Sequence, residues 1–179
     1  MSPLPKFGQL PDTHHVPDLL APGLKLVFCG TALGRVSAEQ KAYYANPNNY
    51  FWRALHEAGF TPTLLKPQDY PQLLHYRIGL TDLAKRHFGN DAELPEDAFD
   101  TAALREKIEE HQPAILAFTS KTGAAAMLER PTGATPYGFQ PERIGDTRLF
   151  VLPSPSGQAR TYWKPKPWLE LAEAVRALP

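Results

Sequence analysis

The chain has 179 residues, of which 42% are apolar and 21% are charged. This length and amino-acid composition are typical of one globular domain, which buries about two-thirds of the surface that its unfolded chain exposes. Basic and acidic side chains number 19 each, so the net charge indicates no polyanionic partner and any nucleic-acid surface must be local. Cys29 is the only cysteine, which excludes an internal disulfide and a cysteine-ligated metal site and fits a reducing cytoplasm.

The first twenty residues are interpreted as a flexible segment ahead of a domain that spans 21–179. No stretch resembles the apolar core of a signal peptide or the ~18 apolar residues of a membrane span, so we expect a soluble, cytoplasmic protein. The adjacent His14 and His15 lack partners at metal-ligand spacing, and neither a metal nor another cofactor is expected.

Three short apolar runs predict the strands of a central sheet, because each is bounded by proline or glycine. They cover residues 24–29, 114–119 and 148–153. Helical patterns cover 50–59, 101–111, 121–129 and 167–178, and Asp100 or Thr101 can cap the second of these. This alternation predicts a single three-layer α/β/α domain with a short, mainly parallel sheet that binds ligands at the carboxyl ends of its strands.

The loops after the first and third strands are therefore where a functional site is expected. The first strand is expected to run into a glycine-punctuated turn at 30–34, "GTALG". This turn lacks the third glycine of a dinucleotide fingerprint and the Gly-Lys-Ser/Thr of a P-loop. Residues 133–147, rich in proline and glycine, are interpreted as a surface loop without a chemical pattern.

Two segments offer groups that suit a planar heterocycle and a phosphate. In "YYANPNNYFW", Tyr44 and Asn49 can stack on and hydrogen-bond a planar heterocycle, although taken alone they are better explained as turn and cap residues. In "SPSGQAR", Gly157 makes a flexible tip, Gln158 can probe a groove and Arg160 can hold a phosphate. A surface turn with a solvated arginine accounts for this segment equally well.

Together and in this order, these segments resemble the mismatch-specific uracil/thymine-DNA glycosylases of the uracil-DNA glycosylase superfamily. The stretch "APGLKLVFCGTALG" is similar to a family stretch that ends in G-I-N-P-G, and "NPNNYFW" is similar to HPxNRFW. The segment "LLKPQDYPQLLHYRIGLTDL" is similar to the family's LKPQE-to-GVTKL region, and "SPSGQAR" is similar to N-P-S-G-L-S-R. Twelve positions separate Ala32 from Tyr44, as they separate the corresponding family residues.

The resemblance implies a monofunctional glycosylase that flips uracil, or another mispaired or damaged base, out of DNA. It would hydrolyse the N-glycosidic bond and leave an abasic site. The expected partner is double-stranded DNA, and single-stranded DNA is a second candidate partner. The protein is expected to be a monomer. The implied base-pocket residues are Gly30, Thr31, Ala32, Tyr44, Asn49 and Ser154. The implied DNA-contacting residues are Ser37, Lys121, Ser156, Gly157, Gln158, Ala159 and Arg160.

Three departures from the family bear on catalysis. The asparagine that positions the hydrolytic water in the family falls on Ala32, the second-motif asparagine falls on Ser154, and the wedge leucine falls on Gln158. Ala32 cannot hydrogen-bond through its side chain. Either the catalytic group has moved, or the protein is a non-catalytic module that binds lesions or abasic sites.

Asp82 is the favoured relocated group. A carboxylate can activate water and stabilise the oxocarbenium-like sugar, and Asp82 occupies the lysine position of the family's G-V-T-K-L stretch. The alternative is a helix-start or turn aspartate paired with Lys85 or Arg86. Asp91 is the reserve, although its stretch "NDAELPED" is typical of a solvated loop. Lys121 is interpreted as a phosphate contact rather than a Schiff-base nucleophile.

Overall fold

Six strands form one sheet that runs through the molecule. The computed structural model describes residues 3–179. The strands are β1 (Gly8–Gln9), β2 (Leu26–Leu33), β3 (Ile78–Phe88), β4 (Ile115–Phe118), β5 (Gly138–Ile144) and β6 (Thr147–Val151). They lie in the order β1-β3-β2-β4-β6-β5. The four central strands are parallel, and β1 and β5 pair antiparallel at the two edges.

Helices cover both faces of this sheet. On one face α2 and α5 pack over a cluster that contains Phe28, Phe51 and Trp168. On the other face α3 and α4 pack over a second cluster that contains Ile108 and Met127. The predicted three-layer α/β/α class is thereby confirmed. The α-helices are α1 (Arg35–Gln40), α2 (Phe51–Ala58), α3 (Thr101–His111), α4 (Lys121–Leu128) and α5 (Lys166–Arg176).

Local signals set the ends of the helices next to the site. Asp100 caps α3, since its carboxylate accepts a hydrogen bond from the Ala103 N–H at 2.9 Å. Ser120 caps α4 in the same way through the Gly123 N–H. Both helices end in left-handed residues, Gln112 and Glu129, just ahead of prolines. Within the described residues, no helix has both the length and the apolar character that a bilayer crossing requires.

Two of the sequence-based predictions about loops are wrong. The expected turn at 30–34 is part of β2, which continues to Leu33 because it stays paired with β3 beyond the end of β4. Gly34 then serves as the N-cap of α1. The expected surface loop at 133–147 contains β5, which pairs with β6 through the tight turn at Gly145.

The strand β3 was not predicted, because its polar residues interrupt the apolar pattern. It has 11 residues and lies between β2 and the sheet edge. The predicted N-terminal segment lies along this edge: Gly8–Gln9 pairs with the end of β3, and Leu19 bridges Leu80. Asp18 forms ion pairs with Lys85 of β3 and Lys107 of α3.

A substitution at Gly79 tests this packing on β3. A Cβ at Gly79 would lie 2.5 Å from the carbonyl oxygen of Leu19 and 2.7 Å from Cδ1 of Leu24. We therefore expect Gly79→Ala to lower the free energy of unfolding by about 2 kcal/mol, as overpacking does. Urea unfolding measures the change, and Gly133→Ala is the control because no atom lies within 4 Å of its Cβ position. Equal stability of the two variants would contradict the packing.

Candidate active site

An open cleft of about 1130 Å³ lies at the carboxyl ends of β2 and β4. Its size is at the upper end of small-molecule pockets, and its open shape suits part of a polymer. The cleft brings together all the residues predicted from the sequence. They are Gly30, Thr31, Ala32, Ser37, Tyr44, Asn49, Asp82, Asp91, Lys121, Ser154, Ser156, Gly157, Gln158, Ala159 and Arg160.

The floor of the cleft is formed where β2 and β3 run side by side. Their parallel register places Gly30 opposite Asp82. A Cβ at Gly30 would lie 2.5 Å from Oδ1 of Asp82 and 3.1 Å from the Tyr44 hydroxyl. Glycine at position 30 therefore allows the carboxyl group and the phenol to lie together at the floor.

Asp82 is a buried carboxylate with an unsatisfied oxygen. The residue is 4% exposed, and its Oδ2 has no hydrogen-bond partner among the described residues. The alternative pairing with Lys85 is not seen, because Lys85 Nζ lies 2.9 Å from Asp18 Oδ1 instead. Arg86 is exposed and makes no ion pair within residues 3–179. A buried polar atom without a partner is costly and is typical of functional sites.

The pKa of Asp82 is raised to about 6. Burial is the main cause, and the Asp18 carboxylate acts in the same direction. The ammonium groups of Lys85 and Lys107 and the backbone N–H of Gly30 oppose the shift. At neutral pH this carboxylate is mostly ionised yet basic enough to accept a proton, which suits a general base.

The pKa of Asp18 shifts in the opposite direction, although Asp18 also contacts β3. Burial tends to raise its pKa, but Lys85 and Lys107, together with the hydrogen bond from Thr81, lower it below the usual value. The hydroxyl of Thr81 donates to Asp18 Oδ1 at 2.8 Å, and Lys107 Nζ lies 2.7 Å from Oδ2. The two lysines are therefore held by Asp18 and leave Asp82 without a direct counter-ion.

Tyr44 stands beside Asp82 on a strained loop. Its φ of 52° lies in the left-handed region, which is costly for a non-glycine residue. Its ring stacks on Phe51 with centroids 3.9 Å apart, and its hydroxyl lies 3.1 Å from Thr119 Oγ1. The hydroxyl oxygen of Ser37, predicted to contact DNA, accepts the Ala45 N–H at 2.9 Å and so holds the loop that carries Tyr44.

The backbone of Thr31 faces the cleft. β4 ends where Phe118 pairs with Cys29, whereas β2 continues to Leu33. Since backbone groups alternate between the two sides of a strand, Thr31 directs its N–H and carbonyl to the side where β4 has ended. Ala32 pairs with Ala84 of β3 and adds no polar group.

Asp91 lies at the rim of the cleft. The hydroxyl of Thr31 donates to Asp91 Oδ1 at 2.5 Å. The residue as a whole is exposed, but loss of water around its carboxyl group raises its pKa, against the hydrogen bonds from Thr31 and Thr122. The stretch predicted as a solvated loop thus supplies a second carboxylate, which is hydrogen-bonded and more exposed than Asp82.

The sequence allows two interpretations of Asn49, as a cap residue at a helix start and as a contact to a planar heterocycle. Its Oδ1 accepts the Phe51 N–H at 2.9 Å, as a residue at a helix start does. Asn49 lines the cleft, and its amide nitrogen makes no hydrogen bond among the described residues.

The segment from Ser154 to Arg160 closes one side of the cleft. The hydroxyl of Ser154 accepts the Ser156 N–H, and that of Ser156 accepts the Gln158 N–H. A 3-10 helix, Gly157–Tyr162, follows. A Cβ at Gly157 would lie 2.9 Å from Cβ of Asn48, so this glycine allows a close approach of two loops.

Sequence reasoning missed several residues of the cleft wall. Tyr137 lies 4.4 Å from Lys121 Nζ, measured to the ring centroid. It belongs to the segment interpreted as a featureless loop, and only its aromatic character offered a signal. Thr119 and Tyr162 were also missed. Thr119 was interpreted only as the end of the predicted strand 114–119, and Tyr162 follows the segment "SPSGQAR", whose DNA contacts were assigned to the residues before it. Among residues 3–179, no group of three or more His, Cys, Asp or Glu side chains is placed to hold a metal ion.

A mainly parallel sheet between helices, with a polar cleft at the strand ends, defines an α/β protein with a ligand site in the usual place for that class. The profile of the uracil DNA glycosylase superfamily matches residues 17–178, and the chain belongs to that superfamily. The fold is similar to the solution NMR structure of a candidate uracil DNA glycosylase from Methanosarcina acetivorans. The TM-score is 0.64 at 21% identity, covering 91% of this chain and 98% of that one.

The raised pKa of Asp82 predicts a pH-dependent gain of stability in Asp82→Asn. Ionised Asp82 costs the folded state on the order of 3 kcal/mol above pH 6, and protonation removes that cost as the pH falls from 6 towards 3.8. The variant is therefore expected to gain stability relative to wild type as the pH rises from 4 to 7.5. Denaturant unfolding at both pH values measures the difference.

The exposed Asp97 provides the control for this experiment. Asp97→Asn removes one carboxylate without removing a buried charge, so its stability relative to wild type is expected to change little over the same pH range. A constant difference between Asp82→Asn and wild type would contradict the assigned pKa.

Proposed function

We propose that the protein is a monofunctional DNA glycosylase that excises uracil, and other mispaired or damaged bases, from DNA and leaves an abasic site. The observation that carries this proposal is the buried carboxylate of Asp82, whose Oδ2 has no partner among the described residues, on the cleft floor of a chain in the uracil DNA glycosylase superfamily. A mispair lowers the cost of extruding a base, so mismatched uracil is the expected preferred substrate. We further propose a monomer that acts in a reducing cytoplasm, which suits the free thiol of Cys29.

In the proposed mechanism the flipped base stacks against Tyr44, which Phe51 supports from behind. The backbone N–H of Thr31 and the amide nitrogen of Asn49 contact the edge of the base. They also stabilise the negative charge that the base acquires as it leaves. With Ser154 in place of the family's second asparagine, one contact to the base is altered, which favours relaxed discrimination among bases.

Asp82 activates water in this proposal. The water oxygen bonds to C1′ of the sugar, one water proton passes to the carboxylate, and the electron pair of the broken N-glycosidic bond goes to the base. The ionised carboxylate also stabilises the oxocarbenium-like sugar. Lys121 acts on phosphate rather than as a Schiff-base nucleophile, and its ammonium already rests over the Tyr137 ring.

DNA backbone contacts are proposed for the side chains around the cleft mouth. Arg160 is exposed and donates only a long hydrogen bond of 3.5 Å to the Asn48 carbonyl, so most of its donors are available for phosphate. Ser156, Gly157 and Ala159 bring the backbone of the same segment to the duplex, and Gln158 enters the groove. The zero net charge of the chain makes this local basic surface the main attraction to DNA.

Asp82→Asn tests the assignment of the catalytic group. Removal of a general base lowers rates by about 10²- to 10⁴-fold, so we expect at least a hundredfold loss of base release under single-turnover conditions. Duplexes with U:G and U:A and single-stranded uracil DNA are incubated with enzyme, and alkali then cleaves the abasic sites. The matched control is Asp91→Asn, which removes the other carboxylate of the cleft and is expected to lose less than tenfold. Full activity in Asp82→Asn would contradict the assignment.

The pH profile gives a second test. The rate of base release in wild type is expected to fall about tenfold per pH unit below pH 6, where Asp82 becomes protonated. The residual activity of Asp82→Asn is expected to lack this limb. Identical profiles for the two proteins would assign the titration to another group.

Ala32→Asn in the Asp82→Asn background tests whether the two positions exchange roles. An asparagine at position 32 lies at the cleft and can position water, so partial recovery of activity is expected.

The alternative function, a non-catalytic module that binds lesions or abasic sites, rests on Ala32, which lacks a side chain that can position water. Tight binding to abasic DNA by wild type without any base release would favour the alternative and reject the enzyme.

A further inference from the structure

Two tyrosines and two lysines meet at the mouth of the cleft and form what we call the aromatic rim: Tyr137, Tyr162, Lys121 and Lys164. The ammonium groups of Lys121 and Lys164 lie 4.4 Å and 6.0 Å from the centroid of the Tyr137 ring. Both tyrosines line the cleft. They are close enough that Tyr162 adds to the effect of burial in raising the pKa of Tyr137.

The side chain of Tyr162 is exposed to solvent. It is 69% exposed, more than any other exposed large hydrophobic residue of the described chain. It ends the 3-10 helix Gly157–Tyr162, the same short helix that carries Gln158. A single exposed aromatic side chain would be ordinary, but Tyr162 lies at the cleft together with Tyr137.

The lysines of the aromatic rim have no acidic partners. Within residues 3–179, neither Lys121 nor Lys164 forms an ion pair with a carboxylate. Unpaired ammonium groups attract phosphates, and aromatic rings beside them offer stacking faces for bases. This combination matches the chemistry of an unstacked nucleic-acid strand.

We propose that Tyr162 stacks on a DNA base next to the position that the flipped nucleotide vacates, while Lys121 and Lys164 neutralise phosphates of the same strand. This inference rests on the proposed function and assigns it a further residue. Gln158 and Tyr162 lie four residues apart on the same 3-10 helix and both line the cleft, and only Tyr162 offers an aromatic face for stacking. The stack compensates in part for the base pair and stacking lost on flipping.

The test uses a duplex with a tetrahydrofuran abasic analogue opposite guanine and 2-aminopurine beside the analogue, on its 5′ side in one duplex and on its 3′ side in another. Binding of wild type is expected to quench the 2-aminopurine fluorescence in one of the two duplexes. Tyr162→Ala is expected to abolish that quenching and to weaken binding about tenfold, the loss expected for one aromatic–base stack. Tyr162→Phe is expected to retain both.

Leu169→Ala is the matched control, since it truncates an exposed hydrophobic side chain on α5. For the lysines, Lys164→Gln is expected to reduce the slope of log affinity against log salt by about 0.9 while the quenching persists. Lys166→Gln is its control, because Lys166 pairs with Glu170 at 3.7 Å.

The outcomes separate this inference from the proposed function. If wild type prefers the abasic duplex but Tyr162→Ala quenches and binds as wild type does, stacking by Tyr162 is rejected and the glycosylase proposal stands. If wild type shows no preference for the abasic duplex over an undamaged one, stacking by Tyr162 is rejected, and the base-release assay alone decides whether the glycosylase proposal stands. Loss in Tyr162→Ala with retention in Tyr162→Phe and Leu169→Ala supports the stack.

Discussion

The close approach of β2 and β3 at Gly30 and Asp82 is the constraint on which the site depends. A side chain at position 30 would occupy the space of the Asp82 carboxyl group and crowd the Tyr44 hydroxyl. The strand register fixes the backbone of Asp82 opposite Gly30, so the carboxyl group extends from a fixed point of the sheet. A catalytic group on a central strand is held more rigidly than one on a loop, which favours precise geometry over adaptability.

The electrostatics of β3 depend on two carboxylates that lie near each other and have opposite shifts. Asp18 takes both lysines and has a lowered pKa, whereas Asp82 is left without a counter-ion and has a raised pKa. If Lys85 paired with Asp82 instead, the carboxylate would be a weaker base and a poorer proton acceptor. The N-terminal segment therefore contributes to the site from outside the cleft, because it carries the residue that holds the lysines away.

Several elements could be predicted from the sequence because their signals are local. The apolar runs gave β2, β4 and β6 to within a few residues, and the capping and proline signals gave α2 to α5. β3 could not be predicted, because Thr81 and Lys85 are stabilised by Asp18, a partner distant in the chain, and Asp82 is buried without a counter-ion. The resemblance to a family located Asp82 at the pocket where propensity alone indicated a turn. Tyr137 and Tyr162 belong to no recognisable motif. The role of an aromatic residue near the surface can be inferred only from the residues that surround it in the folded structure.

The departures from the family motif have a common physical logic in this structure. At Ala32 the strand lacks a polar side chain, but the adjacent strand presents a carboxylate through the gap that Gly30 leaves. At Gln158 the 3-10 helix lacks an apolar side chain, but the same helix ends in the exposed ring of Tyr162. Under the proposed function a neighbour supplies the missing group in both places, from the adjacent strand for Asp82 and from four residues further along the helix for Tyr162. This is in keeping with a requirement for a group at a point in space rather than at a position in the chain.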